Sequence, residues 1–198
     1  MASFLIHGGQ RLEGEHTVQG AKNSALPILA ATVAARGECV IHGCPDLSDV
    51  RATLAILEYL GCAVKREGDA IAVDSSNLRG CGIPECLMRE MRSSIVFLGP
   101  LLSAMGCASL SAPGGCEIGE RPIDMHLEAM RALGVRIIEE GGKLRCDVRD
   151  GLRGARCSLY FPSVGATENL MLAASTARGV TVLTNAAREP EIVDLARF

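Results

Sequence analysis

The feature that most constrains this chain is an internal repeat. Three stretches carry the same order of signals: a helix, a strand, a loop with acidic residues and proline, a second helix, and a closing β-hairpin. A unit of this kind cannot bury its apolar faces alone, so neighbouring units must pack on one another. The mixture of helix and strand signals predicts an α/β fold.

Unit one opens with Gly20-Ala21-Lys22-Asn23-Ser24-Ala25-Leu26-Pro27, and its first helix is expected to end near Arg36-Gly37. The strand Glu38–His42 follows. Pro45-Asp46-Leu47-Ser48-Asp49-Val50 then opens a second helix with Ser48 as its expected N-cap. Val50, Leu54 and Leu57 share one face, and Gly61 marks the stop. Residues 63–66 and 70–73 read as a hairpin around Glu67-Gly68-Asp69. Unit two repeats the order, with an expected helix from Arg92 to Met105, a strand 108–111 and a loop 113–122. A second helix runs from about Asp124 to Gly134, and a hairpin spans 135–148. Unit three opens with Gly165-Ala166-Thr167-Glu168-Asn169. Its first helix is expected to end at Arg178-Gly179, its strand covers 180–183, and Glu189-Pro190-Glu191-Ile192-Val193-Asp194 opens a second helix. The sequence stops at Phe198 inside that helix, which predicts a fragment of a longer protein with a truncated third unit, the alternative being a naturally short version.

Composition narrows the function classes. Apolar residues make up 48% of the 198 positions while aromatics are only 3%, so the core must be built from Leu, Ile, Val, Ala and Met. A net charge of −3 argues against a nucleic-acid partner, which needs a basic stripe. The first residues lack the basic lead and apolar run of a signal peptide, and the stretch Ala25–Ala35 is too short to span a membrane. The expected location is the cytoplasm. Nine cysteines without a Cys-x-x-Cys pair read as small core hydrophobes, with Cys39, Cys62, Cys107, Cys146 and Cys157 beside strand-like segments.

The candidate chemistry lies at loops and helix starts. The loop from Ala112 to His126 holds three glycines within eight residues, an open backbone suited to an anion, with Cys116 in its middle and Arg121 behind. A loop thiol can exchange a proton near neutral pH, because its ordinary pKa is about 8.5. The alternative is a mobile loop with an idle thiol. Lys22-Asn23 and Arg92 begin the first helices of units one and two, where a helix N-terminus already favours anions. Together Lys22, Arg92 and Arg121 point to a cationic site at one end of the repeats. Alone, each also reads as an exposed base at a helix start. Ser163-Val164-Gly165-Ala166-Thr167 is a strand-to-helix turn that permits close backbone approach to a ligand, or serves only as a cap and turn. The segment Glu189–Asp194 is expected to be a solvated helix start.

These residues resemble a known family. Gly20–Pro27, Pro113-Gly114-Gly115-Cys116-Glu117-Ile118-Gly119-Glu120-Arg121-Pro122-Ile123-Asp124-Met125-His126-Leu127, Phe161–Asn169 and Asn185–Asp194 are similar to the corresponding segments of the UDP-N-acetylglucosamine 1-carboxyvinyltransferases, across essentially the whole chain. The resemblance implies an inside-out α/β barrel of the enolpyruvyl transferase type, helices inside and sheets outside, with residues 21–198 as an incomplete first half. Residues 1–20 are implied to form a strand that packs with the missing C-terminal half. The implied reaction joins the enolpyruvyl group of phosphoenolpyruvate to the 3′-hydroxyl of UDP-N-acetylglucosamine, without metal or organic cofactor. Cys116 is implied as the general acid and as the thiol that fosfomycin alkylates, with Lys22 beside it in catalysis. Lys22, Asn23 and Arg121 are implied to bind phosphoenolpyruvate. Arg92, Arg121, Pro122, Ile123, Asp124, Met125, Phe161, Pro162, Ser163 and Val164 are implied to touch the UDP-sugar. The aspartate that acts on the sugar hydroxyl belongs to the missing half, so this chain alone is expected to be inactive. The related 3-phosphoshikimate 1-carboxyvinyltransferases lack the Pro-Gly-Gly-Cys pattern. A truncated, non-catalytic UDP-sugar-binding protein is the alternative of another class.

Overall fold

The computed structural model describes residues 3–111 and 122–198, with the backbone alone at Arg92. Three helices lie at its centre because they are apolar around most of their circumference, which leaves them no face for water. α1 (Lys22–Ala35) carries no charge after Lys22 and buries Ala25, Leu26, Leu29, Ala30 and Val33. α4 (Leu98–Met105) buries Leu98, Leu101 and Leu102, and α6 (Val164–Ala174) buries Leu170, Leu172 and Ala173. These are the first helices of the three units, and they pack on one another. The second helices are more strongly one-sided. α2 (Ser48–Tyr59) and α7 (Pro190–Arg197) lean on α1, and α5 (Asp124–Ala132) leans on α6.

Three sheets cover this bundle. β1 (Glu38–Ile41), β2 (Ala63–Glu67) and β3 (Ala70–Asp74) form an antiparallel sheet in the order β1-β3-β2. β4 (Gly82–Ile83), β5 (Cys107–Ser111), β6 (Arg136–Glu140) and β7 (Lys143–Asp147) form a second in the order β4-β5-β7-β6, with β4 parallel to β5 and the other pairs antiparallel. β8 (Arg156–Ser158) and β9 (Val182–Thr184) form a parallel pair. The strand period of two sorts the side chains. Ile71 and Val73, Ala108 and Leu110, and Leu144 and Cys146 are buried, while their strand neighbours, apart from the buried Ser111, are exposed or half-buried. Helices inside and sheets outside is the expected inside-out arrangement.

The repeat is real in space. β1, β5 and β9 each follow a central helix, and β3 and β7 pair with β1 and β5 in matching positions. Among the described residues, unit two has all four strands, unit one lacks the parallel partner, and unit three lacks the hairpin. Residues 3–20 form neither helix nor strand, and Phe4, Leu5, Ile6, Leu12 and Val18 are exposed. Gly61 and Gly134 stop α2 and α5 in left-handed conformations (φ +98° and +91°), as their positions in the pattern predict.

Four local expectations are corrected. Ser48 is the first helical residue rather than the N-cap; Leu47 occupies that position, with no side-chain cap. The helix expected over Arg92–Met105 is broken into a 3₁₀ segment, Arg92–Phe97, followed by α4. Pro100 has no N–H to give to Val96, so a continuous helix would lose a bond there, and the Ile95 carbonyl is taken by the Leu98 amide and the Asn169 side chain. A short helix, α3 (Glu85–Glu90), precedes this segment. In unit three the helix ends at Ala174, before Arg178, and the strand begins at Val182 rather than Val180.

The eight cysteines among the described residues are free thiols. Cys62, Cys146 and Cys157 are buried, with their thiol pKa pushed up by desolvation, as core packing predicts; Cys39 and Cys107 are half-buried, and Cys86 is exposed. No helix among the described residues is long and apolar enough to cross a membrane.

Candidate functional site

The first turn of α1 collects one face of the site. Its N-cap, Ala21, supplies no side-chain oxygen, so the helix start is not capped from within. Lys22 Nζ donates to Asp49 Oδ2 of α2 at 2.8 Å, Asn23 Nδ2 donates to Glu191 Oε1 of α7 at 3.3 Å, and Ser24 Oγ donates to Asp194 Oδ2 at 2.7 Å. Three consecutive polar side chains are thus each held by a carboxylate from another helix. An ammonium group has three donors, and Asp49 uses one of them, so Lys22 can still meet an incoming anion. The segment opened by Glu189, expected to be solvated, instead turns Glu191 and Asp194 inward against α1; both are only partly exposed. This corrects the sequence expectation.

A buried acid sits behind this turn. Glu168, in α6, is 7% exposed, and burial followed by the nearby Glu191 charge pushes its pKa up to about 7. Water cannot solvate its carboxylate well there, so the neutral acid gains.

A second face is built where α5 and α6 begin. Pro122 and Asp124 are exposed, Ile123 is half-buried, and Met125 is buried against Leu159 and Ala166. Tyr160 Oη donates to Asp124 Oδ2 at 2.5 Å, and this bond holds the Asp124 carboxyl below the usual range. Phe161 and Pro162 are exposed, and Val164 is half-buried. Ser163 caps α6: its Oγ accepts from the Ala166 amide at 3.3 Å, while its carbonyl accepts from Thr167 Oγ1 at 2.7 Å. Beneath these turns lies a buried polar network. Asn169 Oδ1 accepts from the Gly99 amide at 2.7 Å, and its Nδ2 lies 2.8 Å from the Ile95 carbonyl and 2.9 Å from His126 Nδ1. Burial pulls the His126 pKa down to about 4 against the opposing pull of Asp124.

Of the residues singled out from the sequence, Met125 packs with Ala166 and Leu159 and Asp124 is bonded to Tyr160, so the turns that carry Ile123–Met125 and Ser163–Val164 adjoin, and Lys22 and Asn23 stand at the start of α1. Arg92 begins the 3₁₀ segment. Cys116 and Arg121 lie outside the described residues. His126, Tyr160, Glu168, Asn169 and the three carboxylates facing α1 were not expected in this role. The signal for two of them was present: Glu168 and Asn169 are polar residues on a helix otherwise apolar enough to be central, and such residues must find partners.

A profile of the EPSP synthase (3-phosphoshikimate 1-carboxyvinyltransferase) family matches residues 6–198. The chain belongs to that family. Within it, the chain is 53% identical over its whole length to UDP-N-acetylglucosamine 1-carboxyvinyltransferase 2 of Caldanaerobacter subterraneus subsp. tengcongensis, covering 47% of that protein. It is 50% identical over 98% of its length to UDP-N-acetylglucosamine 1-carboxyvinyltransferase 1 of Symbiobacterium thermophilum, covering 45% of that protein. The chain therefore spans about half the length of the curated relatives it matches. Among solved structures, the enolpyruvyl transferase NikO from Streptomyces tendae covers 97% of the chain with a TM-score of 0.83 at 24% identity, and the chain covers 45% of NikO. An EPSP synthase from Acinetobacter baumannii covers 91% with a TM-score of 0.70 at 19% identity, and the chain covers 42% of it. These two likenesses establish the enolpyruvyl transferase fold.

Proposed function

We propose that this chain is the first half of an enzyme that transfers the enolpyruvyl group of phosphoenolpyruvate to the 3′-hydroxyl of UDP-N-acetylglucosamine. That reaction is the first committed step of peptidoglycan synthesis, and so serves cell shape and division in the cytoplasm. The observation that supports the reading best is geometric. The two turns assigned to the nucleotide-sugar, Pro122–Met125 and Phe161–Val164, are joined into one wall by the Tyr160–Asp124 bond and the Met125–Leu159–Ala166 cluster. Both open at helix N-termini, where backbone amides favour a diphosphate.

The chemistry needs a proton donor, an anion clamp and a base. In the first step the sugar oxygen bonds to C2 of phosphoenolpyruvate, the methylene carbon takes a proton, and the sugar hydroxyl gives one up. In the second step the bond from C2 to the phosphate oxygen breaks, and the new methyl group loses a proton. Cys116 is assigned as the acid of the first step. Lys22, Asn23 and Arg121 are assigned to phosphoenolpyruvate, and Arg92 and Arg121 to the UDP-sugar. Asp49, Glu191 and Asp194 hold the α1 turn for this task, and Lys22 exchanges or shares its Asp49 contact with the incoming anion. The group that takes the sugar proton belongs to the other half, as does the surface that packs against residues 1–20.

The test is intact mass of the chain after exposure to fosfomycin, with and without UDP-N-acetylglucosamine, alongside phosphate release from both substrates. The expected result is a single adduct on Cys116 that is promoted by the nucleotide-sugar, and no phosphate release until the remaining half is supplied. Turnover by the chain alone would overturn the half-site reading. Nucleotide-sugar binding without turnover, even with the other half present, would favour a non-catalytic sugar-binding protein.

A further inference from the structure

The two turns of the nucleotide-sugar wall are tied twice, and the deeper tie carries chemical information. Asn169 is fully buried. The Gly99 amide can only donate, so the Asn169 atom that receives it at 2.7 Å is the oxygen, and this fixes the orientation of the amide. The two hydrogens on Nδ2 then point to the Ile95 carbonyl and to His126 Nδ1. Nδ1 must therefore accept. A ring that accepts at Nδ1 is neutral and carries its proton on Nε2. The other edge of the same ring lies beneath the α6 turn: a Cβ added at Gly165 would stand 3.1 Å from Cε1 and 3.4 Å from Nε2. His126 thus follows directly on the α5 turn, is pinned from behind by Asn169, and sets the height of Val164-Gly165 in front.

We propose that His126 and Asn169 are positioning residues for the nucleotide-sugar: with the imidazole in its Nε2–H form, they set the separation of the Pro122–Met125 and Phe161–Val164 turns that grip the UDP group. The proposal rests on the function proposed above. It predicts dependence on an acceptor at Nδ1, a requirement that packing volume alone does not impose.

Two measurements on the chain test it. Long-range ¹⁵N–¹H correlation of histidine-labelled protein at pH 7 is expected to show His126 as the Nε2–H tautomer; an Nδ1–H ring or an imidazolium would overturn the proposal. Calorimetric titration with UDP-N-acetylglucosamine then compares variants. His126→Leu is expected to weaken binding about tenfold or more, while His126→Asn, whose side-chain oxygen can stand in for Nδ1, stays within about threefold. Inorganic phosphate, probing the Lys22 end, is expected to bind all variants alike. If His126→Leu does not fold, Gly165→Ala, which pushes on the ring without removing a hydrogen bond, is expected to weaken nucleotide-sugar binding alone. Equal affinity of the wild type with His126→Leu or with Gly165→Ala overturns the proposal, as does a His126→Asn loss as large as that of His126→Leu. Failure of the wild type to bind the nucleotide-sugar, with the tautomer as expected, overturns the functional reading and this inference with it.

Discussion

The α1 turn, which links three helices, and the Asn169 network, which links four helical segments, are both polar and are built on opposite principles. At the α1 turn the partners are charged or face water: the Lys22 side chain is 45% exposed, and its partner Asp49 is 30% exposed. Exposed ion pairs contribute little, typically 0–1 kcal/mol, because water competes for both groups. Such a turn can release its internal partners to a ligand at small cost. At Asn169 every partner is neutral and buried, and no water can replace a lost bond. One region is exchangeable and the other is fixed. The function proposed above assigns the first region to anion binding and the second to holding the turns in place.

The sharpest way to break this contrast is to delete the frame. Asn169→Leu should leave the Gly99 amide and the Ile95 carbonyl without their side-chain partner and cost roughly 3 kcal/mol or more in urea unfolding. A loss under about 1 kcal/mol would mean that the network is no more fixed than the rim.

Glu168 tests how dry the boundary between the two regions is. Its pKa is raised to about 7 from an ordinary 4.5, so the folded state favours the protonated form. The linked stability is fully present below about 4.5 and declines as pH rises to about 7, by an amount on the order of 3 kcal/mol at most. His126 runs the other way. Its pKa is lowered from 6.5 to about 4, so the stability linked to it is present above 6.5 and is lost as pH falls toward 4. Unfolding free energies of Glu168→Gln across pH 4–8 should lose the first slope and keep the second.

A milder probe is Gly99→Ala. The added Cβ would stand 2.5 Å from the Asn169 carbonyl oxygen and 3.0 Å from Oδ1. Overpacking against a helix backbone should cost about 1–3 kcal/mol in thermal or urea unfolding, without any change of charge. Ser24→Ala, at the partly buried edge of the rim, should cost about 1 kcal/mol. The smallest stability effect is expected for Lys22→Ala, within about 0.5 kcal/mol, together with loss of phosphate binding in calorimetry. A large stability loss for Lys22→Ala with phosphate binding intact would reverse the roles assigned to the two regions.

The fold was legible in the sequence wherever a signal spans a whole element. Glycine stops at Gly61 and Gly134, hairpins with a charged turn, and matched helix openings revealed the units and their order. β4 was not legible, because two residues are too few to show alternation, and β8 showed only as a strand-like stretch about Cys157 ahead of the Ser163 turn, without bounds. The 3₁₀ segment before α4 has a local cause, Pro100, that the sequence reading passed over, and a tertiary one that it could not show: Asn169, distant in sequence, takes the Ile95 carbonyl. The site divided in the same way. Residues at helix starts, Lys22, Asn23, Ser163 and Val164, stand out because loops and N-termini are where chemistry collects, whereas Asp124 entered only through the family resemblance. His126 and Asn169 do not, because in a linear pattern a buried polar residue looks like any polar residue until its partners are placed. Glu191 and Asp194 looked like solvent-facing charges because proline and acids ordinarily open an exposed helix, and only packing on α1 turned them inward.

The bond between Gly99 and Asn169 also has a consequence in time. The two residues are 70 positions apart. At a synthesis rate of about 5–20 residues per second, Asn169 follows Gly99 by roughly 4–14 s. Through that interval α1 and α4 are complete but their shared core has no third helix to close it. The bond that ties α4 to α6 therefore forms only after that wait, once the third central helix has been made.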